Sequence, residues 1–208
     1  MSDKPQEALI VLGGTGNLGQ QVLPILAEAG YHLVVFSRRE VSGAPFDDPR
    51  VTVAQGSLDD PEFIDSMVAT ALQYAQKLRG ALFLNGGFGM DNGIGADGFT
   101  EELQKQLEMN VYPTTKALSR ILPHWAANGG GRIVLTSATV VDKRFAKGGA
   151  YATSKMVVDS LARQIQREYD PAVVDVHVLR PKFIGDKPGQ DAPEDLAQEM
   201  LEELQRSI

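Results

Sequence analysis

Short apolar runs alternate along this chain with longer stretches in which apolar residues return every three or four positions, and glycine and proline punctuate the changes. Ala8–Leu12 reads as a first strand. Beyond a glycine cluster, Leu18, Val22, Ile25, Leu26 and Ala29 share one helical face, and Gly30 closes that helix. His32–Phe36 and Val51–Gln55 read as the second and third strands. Pro61 suits the first turn of a helix predicted to run to Leu78, and Ala81–Leu84 is the fourth strand. A glycine-rich loop, Phe88–Gly98, leads into a helical pattern from Thr100 to Ala127 that Pro113 is expected to interrupt. Arg132–Thr136 is a fifth strand, Ala150–Tyr169 a helix and Val173–Leu179 a sixth strand, and after a polar loop a last helix starts near Pro193.

Strands alternating with helices of this length predict right-handed βαβ units, hence an α/β chain with a doubly wound parallel sheet of six strands between two helical layers. No internal repeat, low-complexity tract or linker divides the sequence, so a single domain over 1–208 is expected. In such sheets ligands bind beyond the carboxyl ends of the strands, and the segment after each strand is where chemistry is sought.

Composition narrows that chemistry. The 208 residues include 27 acidic and 20 basic side chains, a net charge of −7, and 43% are hydrophobic, as in soluble globular chains. With a pI near 5.0 and no dense Lys/Arg run, no nucleic-acid partner is expected. The absence of cysteine excludes disulfides, thiolate nucleophiles, iron–sulfur ligation and cysteine-based zinc sites. His32, His124 and His177 are far apart and show no ligand spacing, so no metal is expected either. The opening MSDKPQEALI is too polar for a secretory signal, and no apolar run approaches the ~20 residues that span a bilayer. A cytoplasmic protein with no membrane partner is the expectation.

Glycines stand at 13, 14, 16 and 19, between the first strand and the first helix, and Gly14, Gly16 and Gly19 satisfy G-x-G-x-x-G. Dinucleotide binding needs one glycine for the tight turn, one for close backbone approach to a pyrophosphate and one for helix packing. The free N–H groups opening the helix then face the phosphates. The competing reading gives these glycines to packing alone. After the second strand, Ser37-Arg38-Arg39 offers a hydroxyl and two cations where an acidic residue would bond the adenosine ribose, which suits the extra phosphate of NADP. The alternative leaves both arginines solvated and gives the ribose to Glu40.

Tyr151 and Lys155 lie four residues apart, on one face of a predicted helix. A phenol of ordinary pKa, near ~10, donates a proton poorly at neutral pH unless a cation stabilises the phenolate, and Lys155 is placed to supply that charge. Outside the context of the glycine motif the pair would read as a half-buried tyrosine beside a surface lysine.

Together these motifs resemble the short-chain dehydrogenase/reductase family over nearly the whole chain, and the resemblance implies a Rossmann fold that binds NAD(P). Leu84-Asn85-Gly86-Gly87 looks like the family's Asn-Ala-Gly segment, Met109-Asn110-Val111 like its asparagine segment, and Arg180-Pro181 like its proline-glycine turn, with Lys182 in place of glycine. By that resemblance Tyr151 donates the proton. Lys155 holds the nicotinamide ribose and lowers the tyrosine pKa, and Asn110 supports a water chain through its helix backbone. The implied cofactor contacts are Gly13, Thr15, Gly16, Asn17, Leu18, Gly19, Ser37, Arg38, Arg39, Ser57, Leu58, Asn85, Gly86, Gly87, Tyr151, Lys155, Pro181 and Phe183. NADPH is the expected cofactor, with NAD second.

Two departures matter. The position of the family's catalytic serine is Ala138, flanked by Ser137 and Thr139; either Ser137 or Thr139 reaches the substrate oxygen in its place, or the reaction does without that hydrogen bond. Alanine there, Gly86-Gly87-Phe88 and the retained tyrosine and lysine are also similar to dihydropteridine reductase, which implies a conjugated acceptor. The family usually continues into a seventh strand, which is expected to be missing here, and the short, polar segment 183–192 suggests an open site. The expected activity is NADPH-dependent reduction of a small-molecule carbonyl, conjugated imine, dihydropterin or quinone-like compound. The alternative is a dinucleotide-binding sensor with little turnover. The resemblance further implies a homodimer or tetramer, although Leu103, Leu107, Leu118, Val157, Val158 and Leu161 would serve an interface or the core equally well.

Overall fold

The computed structural model describes residues 6–143, 146–185 and 187–206. Its strands are Glu7–Leu12 (β1), His32–Ser37 (β2), Val51–Gln55 (β3), Lys77–Phe83 (β4), Gly131–Thr136 (β5) and Val174–Leu179 (β6). All pair in parallel in the order β3-β2-β1-β4-β5-β6, so the winding reverses between β1 and β4. A crevice opens at such a reversal, beyond the strands' carboxyl ends.

Successive strand side chains point to opposite faces, and both faces are buried. Ile10, Val34, Ala81 and Ile133 face one apolar core, and Leu9, Val35, Leu82 and Val134 the other. Helices Asn17–Glu28 (α1) and Pro193–Gln205 (α6) cover the second core. Helices Pro61–Tyr74 (α2), Tyr112–Ala127 (α4) and Gly149–Glu168 (α5) cover the first. Helix Phe99–Asn110 (α3) packs on α4 and α5 and buries only Gln106 and Asn110. The result is the doubly wound three-layer arrangement expected from the alternation of periods. Among the described residues no helix is long and apolar enough to cross a membrane.

Two boundaries differ from the sequence reading. The second helix stops at Tyr74, because Leu78 is a strand residue opposite Ala8 and is buried in the sheet. The long helical pattern breaks at Val111, while Pro113 sits in the first turn of α4, where a missing N–H costs no hydrogen bond. Of the six apolar residues left open between core and interface, Leu118 and Val158 are buried in the core. Leu107, Val157 and Leu161 pack half-buried against it, and Leu103 is half-exposed.

Candidate active site

A cavity of about 630 Å³ lies over the ends of β1, β4, β5 and β6. Its β1 side is the glycine turn. Gly13 has φ +78°, a left-handed conformation, and a Cβ there would fall 2.3 Å from the backbone nitrogen of Asn85. Gly19 packs α1 onto Gly14, where a Cβ would meet backbone at 2.5 Å. Gly16 is exposed, lines the cavity and opens α1 with no side-chain cap, leaving its first N–H groups to a ligand. Of the four glycines in this turn, 13, 16 and 19 line the cavity and Gly14 is buried against Val35. The expected G-x-G-x-x-G frame therefore shifts to one that starts at Gly13.

The opposite wall comes from β5, α5 and the segment after β6. Lys155 is 3% exposed, donates from Nζ to the Thr136 carbonyl at 2.9 Å, and has its pKa lowered to about 8 by burial, against which Asp159 pulls upward. Its Nζ lies 5.9 Å from the centre of the Tyr151 ring. Burial raises the phenol's pKa, so in this arrangement the expected lowering by Lys155 is absent: its ammonium is turned to a carbonyl. Phe88 packs edge-on against Tyr151, with ring centres 5.1 Å apart.

Asn110 is buried behind the cavity, and its side chain does more than the expected backbone role. Its Oδ1 accepts from Gly87 N at 3.0 Å, and its Nδ2 lies within bonding distance of Gly87 O, Gln106 Oε1 and Ser154 Oγ. Gln106 in turn donates to Glu102, and Ser154 donates to the Tyr151 carbonyl. A Cβ on Gly86 would fall 2.5 Å from Asn110 Oδ1, so only glycine fits that cradle. Asn85 donates to Met109 O, which ties the end of β4 to α3.

Ser137 forms part of the wall, yet its hydroxyl donates to Lys155 O at 3.3 Å and is 1% exposed with the rest of its side chain. Adjacent side chains leave an extended segment on opposite sides, so the one-residue offset from Ala138 turns Ser137 inward. Thr139, in the 3-10 turn Thr139–Asp142, is half-exposed and lines the cavity, as does Ala138.

Of the remaining sequence-predicted contacts, Asn17, Leu18, Asn85, Gly86, Gly87, Tyr151, Pro181 and Phe183 line the cavity, and Thr15, Ser37, Arg38, Arg39, Ser57 and Leu58 do not. Ser37 closes a turn on Arg39, accepting from its N–H and donating to its carbonyl. Arg38 and Arg39 are exposed beyond β2. Asp59 is held below the usual carboxylate range chiefly by the Lys116 hydrogen bond, and Arg38 adds a smaller pull in the same direction. Leu58 packs against the core.

Sequence reasoning missed Thr136, whose Oγ1 is buried in the cavity wall without a partner; its place at the end of β5 was the available signal. It also missed Asp159, which accepts from Arg180 at 2.9 and 3.1 Å, and Asp91, which accepts from Ala150 N at the start of α5 and from Gly93 N. Segment 183–192 is folded back on itself by an Ile184–Asp191 bridge and by the Asp191 N to Phe183 O bond, with Asp186 outside the described residues.

A glycine turn opening a helix, buried polar atoms of Asn85 and Thr136 without partners, and a tyrosine-lysine wall are a donor and acceptor set that fits a nicotinamide dinucleotide. Residues 7–195 match the model of the short chain dehydrogenase family. The chain belongs to that family. The chain is 23% identical over 176 residues to the uncharacterized oxidoreductase YbbO of Escherichia coli, covering 85% of this chain and 65% of that protein. It is 28% identical over 184 residues to dehydrogenase/reductase SDR family member 4 of Bos taurus, covering 84% and 64%. The chain thus spans 65% or less of the length of these relatives. The chain shares its fold with serine dehydrogenase from Escherichia coli, at a TM-score of 0.83 and 18% identity over 96% of this chain and 91% of that one. An apo SCOR enzyme from Clostridium thermocellum gives 0.80 and 20% over 100% and 88%.

Proposed function

We propose that this chain reduces a small-molecule carbonyl or conjugated imine with NADPH, with Tyr151 donating the proton. The observation that carries the reading is the convergence of the Gly13–Gly19 turn, the Asn85–Gly87 cradle and the Tyr151/Lys155 pair on one cavity. Gly16, the open N-terminus of α1, Asn85, Thr136 and Lys155 would hold the dinucleotide, and Arg38 with Arg39 would take the extra phosphate. When bound, the cofactor supplies a hydride to the electrophilic carbon. The phenol of Tyr151 gives its proton to the oxygen or nitrogen that gains the electron pair, so the product is an alcohol or amine. Lys155, charged at neutral pH, would stabilise the phenolate left behind once its ammonium turns from the Thr136 carbonyl toward the phenol oxygen. Asn110 keeps the Gly86–Gly87 backbone flat against the site.

Because Ser137 faces inward, polarisation of the acceptor falls to Tyr151 or Thr139, which favours conjugated acceptors such as quinones or dihydropterins. Tyr151→Phe tests the assignment. The variant is expected to bind NADPH within about twofold of wild type and to lose at least ~100-fold in turnover, the usual scale of general acid catalysis. Turnover preserved in that variant removes Tyr151 from the mechanism, and cofactor binding without turnover in wild type makes the chain a binding module. We also propose a cytoplasmic homo-oligomer.

A further inference from the structure

Three lysines, Lys143, Lys155 and Lys182, line the cavity, and no carboxylate does so among the described residues. In a chain of 27 acidic and 20 basic side chains this is a local inversion of sign. Lys155 is committed to the Thr136 carbonyl. The side chains of Lys143 and Lys182 make no hydrogen bond or ion pair among the described residues, and both are exposed at the mouth. They arrive from different segments, Lys143 from the end of the 3-10 turn and Lys182 from the loop after β6, whose backbone is pinned where Lys182 N donates to Asp191 Oδ2. β6 lies three strands from β1 in the sheet, about 14 Å at the usual ~4.8 Å spacing, so the segment that carries Lys182 leaves the sheet across the cavity from the glycine turn where a pyrophosphate would sit.

The same mouth is apolar. Phe88 and Phe183 are 52% and 58% exposed, and with Ile184 and Val140 they line the cavity beside Tyr151. Large apolar side chains left in water around a concave site mark what the site is built to cover. We infer that the substrate is an amphiphilic anion: an aromatic or otherwise flat apolar body that packs between Phe88 and Phe183, carrying a carboxylate or comparable anionic group that Lys143 and Lys182 receive. This rests on the oxidoreductase reading above and names the class of substrate for that same site.

The test is a direct titration of the full chain, with and without saturating NADPH, using 2-naphthoate and its neutral analogue 2-naphthamide. Wild type is expected to bind naphthoate at least about tenfold more tightly than naphthamide in both conditions. The double variant Lys143→Gln/Lys182→Gln should erase that preference, keep its affinity for naphthamide, and bind NADPH as wild type does. Equal affinities in wild type overturn the proposal. So does competition between naphthoate and NADPH, or a double variant that loses NADPH affinity, since the lysines then serve the dinucleotide. The oxidoreductase reading fails separately, on absence of NADPH binding by wild type, whatever the two naphthyl probes do.

Discussion

Lys155 shows how one buried cation serves the site at a cost to the fold. Its ammonium has left water for a single carbonyl partner, and burial lowers its pKa from 10.5 to about 8. The unfolded chain therefore binds more protons than the native one between pH 8 and 10.5, so Lys155 weakens the fold fully below about pH 8 and progressively less as the pH rises. Lys155→Met is expected to inactivate the protein while gaining stability against urea at pH 7, and the gain should shrink steadily between pH 8 and 10. A pH-independent difference would show that the lysine is not desolvated. Arg38 is the opposite case, an exposed cation whose value depends on a ligand. Arg38→Asp should weaken NADPH binding by at least about tenfold and NADH binding little, and equal losses for both would refute its pairing with the extra phosphate. Tyr151, Lys155 and the glycines were legible as single letters because each carries a chemical demand that few residue types meet. The inward turn of Ser137 was not, since it depends on which side of an extended segment faces the cavity.

Between elements, the helix that carries Tyr151 and Lys155 begins at Gly149 without a cap of its own. Asp91, from the loop after β4, accepts from Ala150 N at 2.8 Å, and its backbone N–H donates to Lys147 O. One carboxylate thus closes the first turn of α5 and fastens the loop that sets Phe88 against Tyr151. Asp91→Ala is expected to cost about 1 kcal/mol in denaturant unfolding. It should also speed amide exchange in the first turn of α5 and raise KM more than it lowers kcat; unchanged exchange there would dismiss the capping role. Nothing in the sequence around Asp91 announces this, because its partner lies 59 residues away and in a different element. Strand and helix periods were readable because each strand is buried on both faces and each covering helix on one. The boundaries at Tyr74 and Val111 moved because register with β1 and contact between helices, not local propensity, decide them.

At the scale of the molecule, the two helical layers bury the sheet and leave large apolar side chains exposed in three places, among them the loop after β4 with Met90 and Ile94. One is the cavity mouth. Another is the surface of α3, α4 and α5, where Met109, Tyr112 and Met156 are each more than a third exposed. Light scattering is expected to give a dimer or a tetramer, and Met156→Glu should shift the population toward monomer without changing NADPH affinity. A monomer at micromolar concentration would remove self-association from the account. The acidic surface and the cationic cavity were separable only in three dimensions. Composition supplied the net charge, but the lysines that invert it locally come from segments far apart in the chain.

The amide of Asn110 has a direction, and the direction is set from outside. A carboxylate can only accept, so Gln106 must turn its NH2 toward Glu102 and its oxygen toward Asn110. Asn110 must then offer its own NH2 to Gln106 and Ser154, which leaves its oxygen for the N–H of Gly87. The Gly87 N–H, which can only donate, demands the same orientation from the other end, so the series is fixed both by the backbone of the cradle and by one acidic side chain about two helical turns away. Replacing Glu102 with glutamine would erase no contact in the site, and the series would then take its direction from the Gly87 N–H alone.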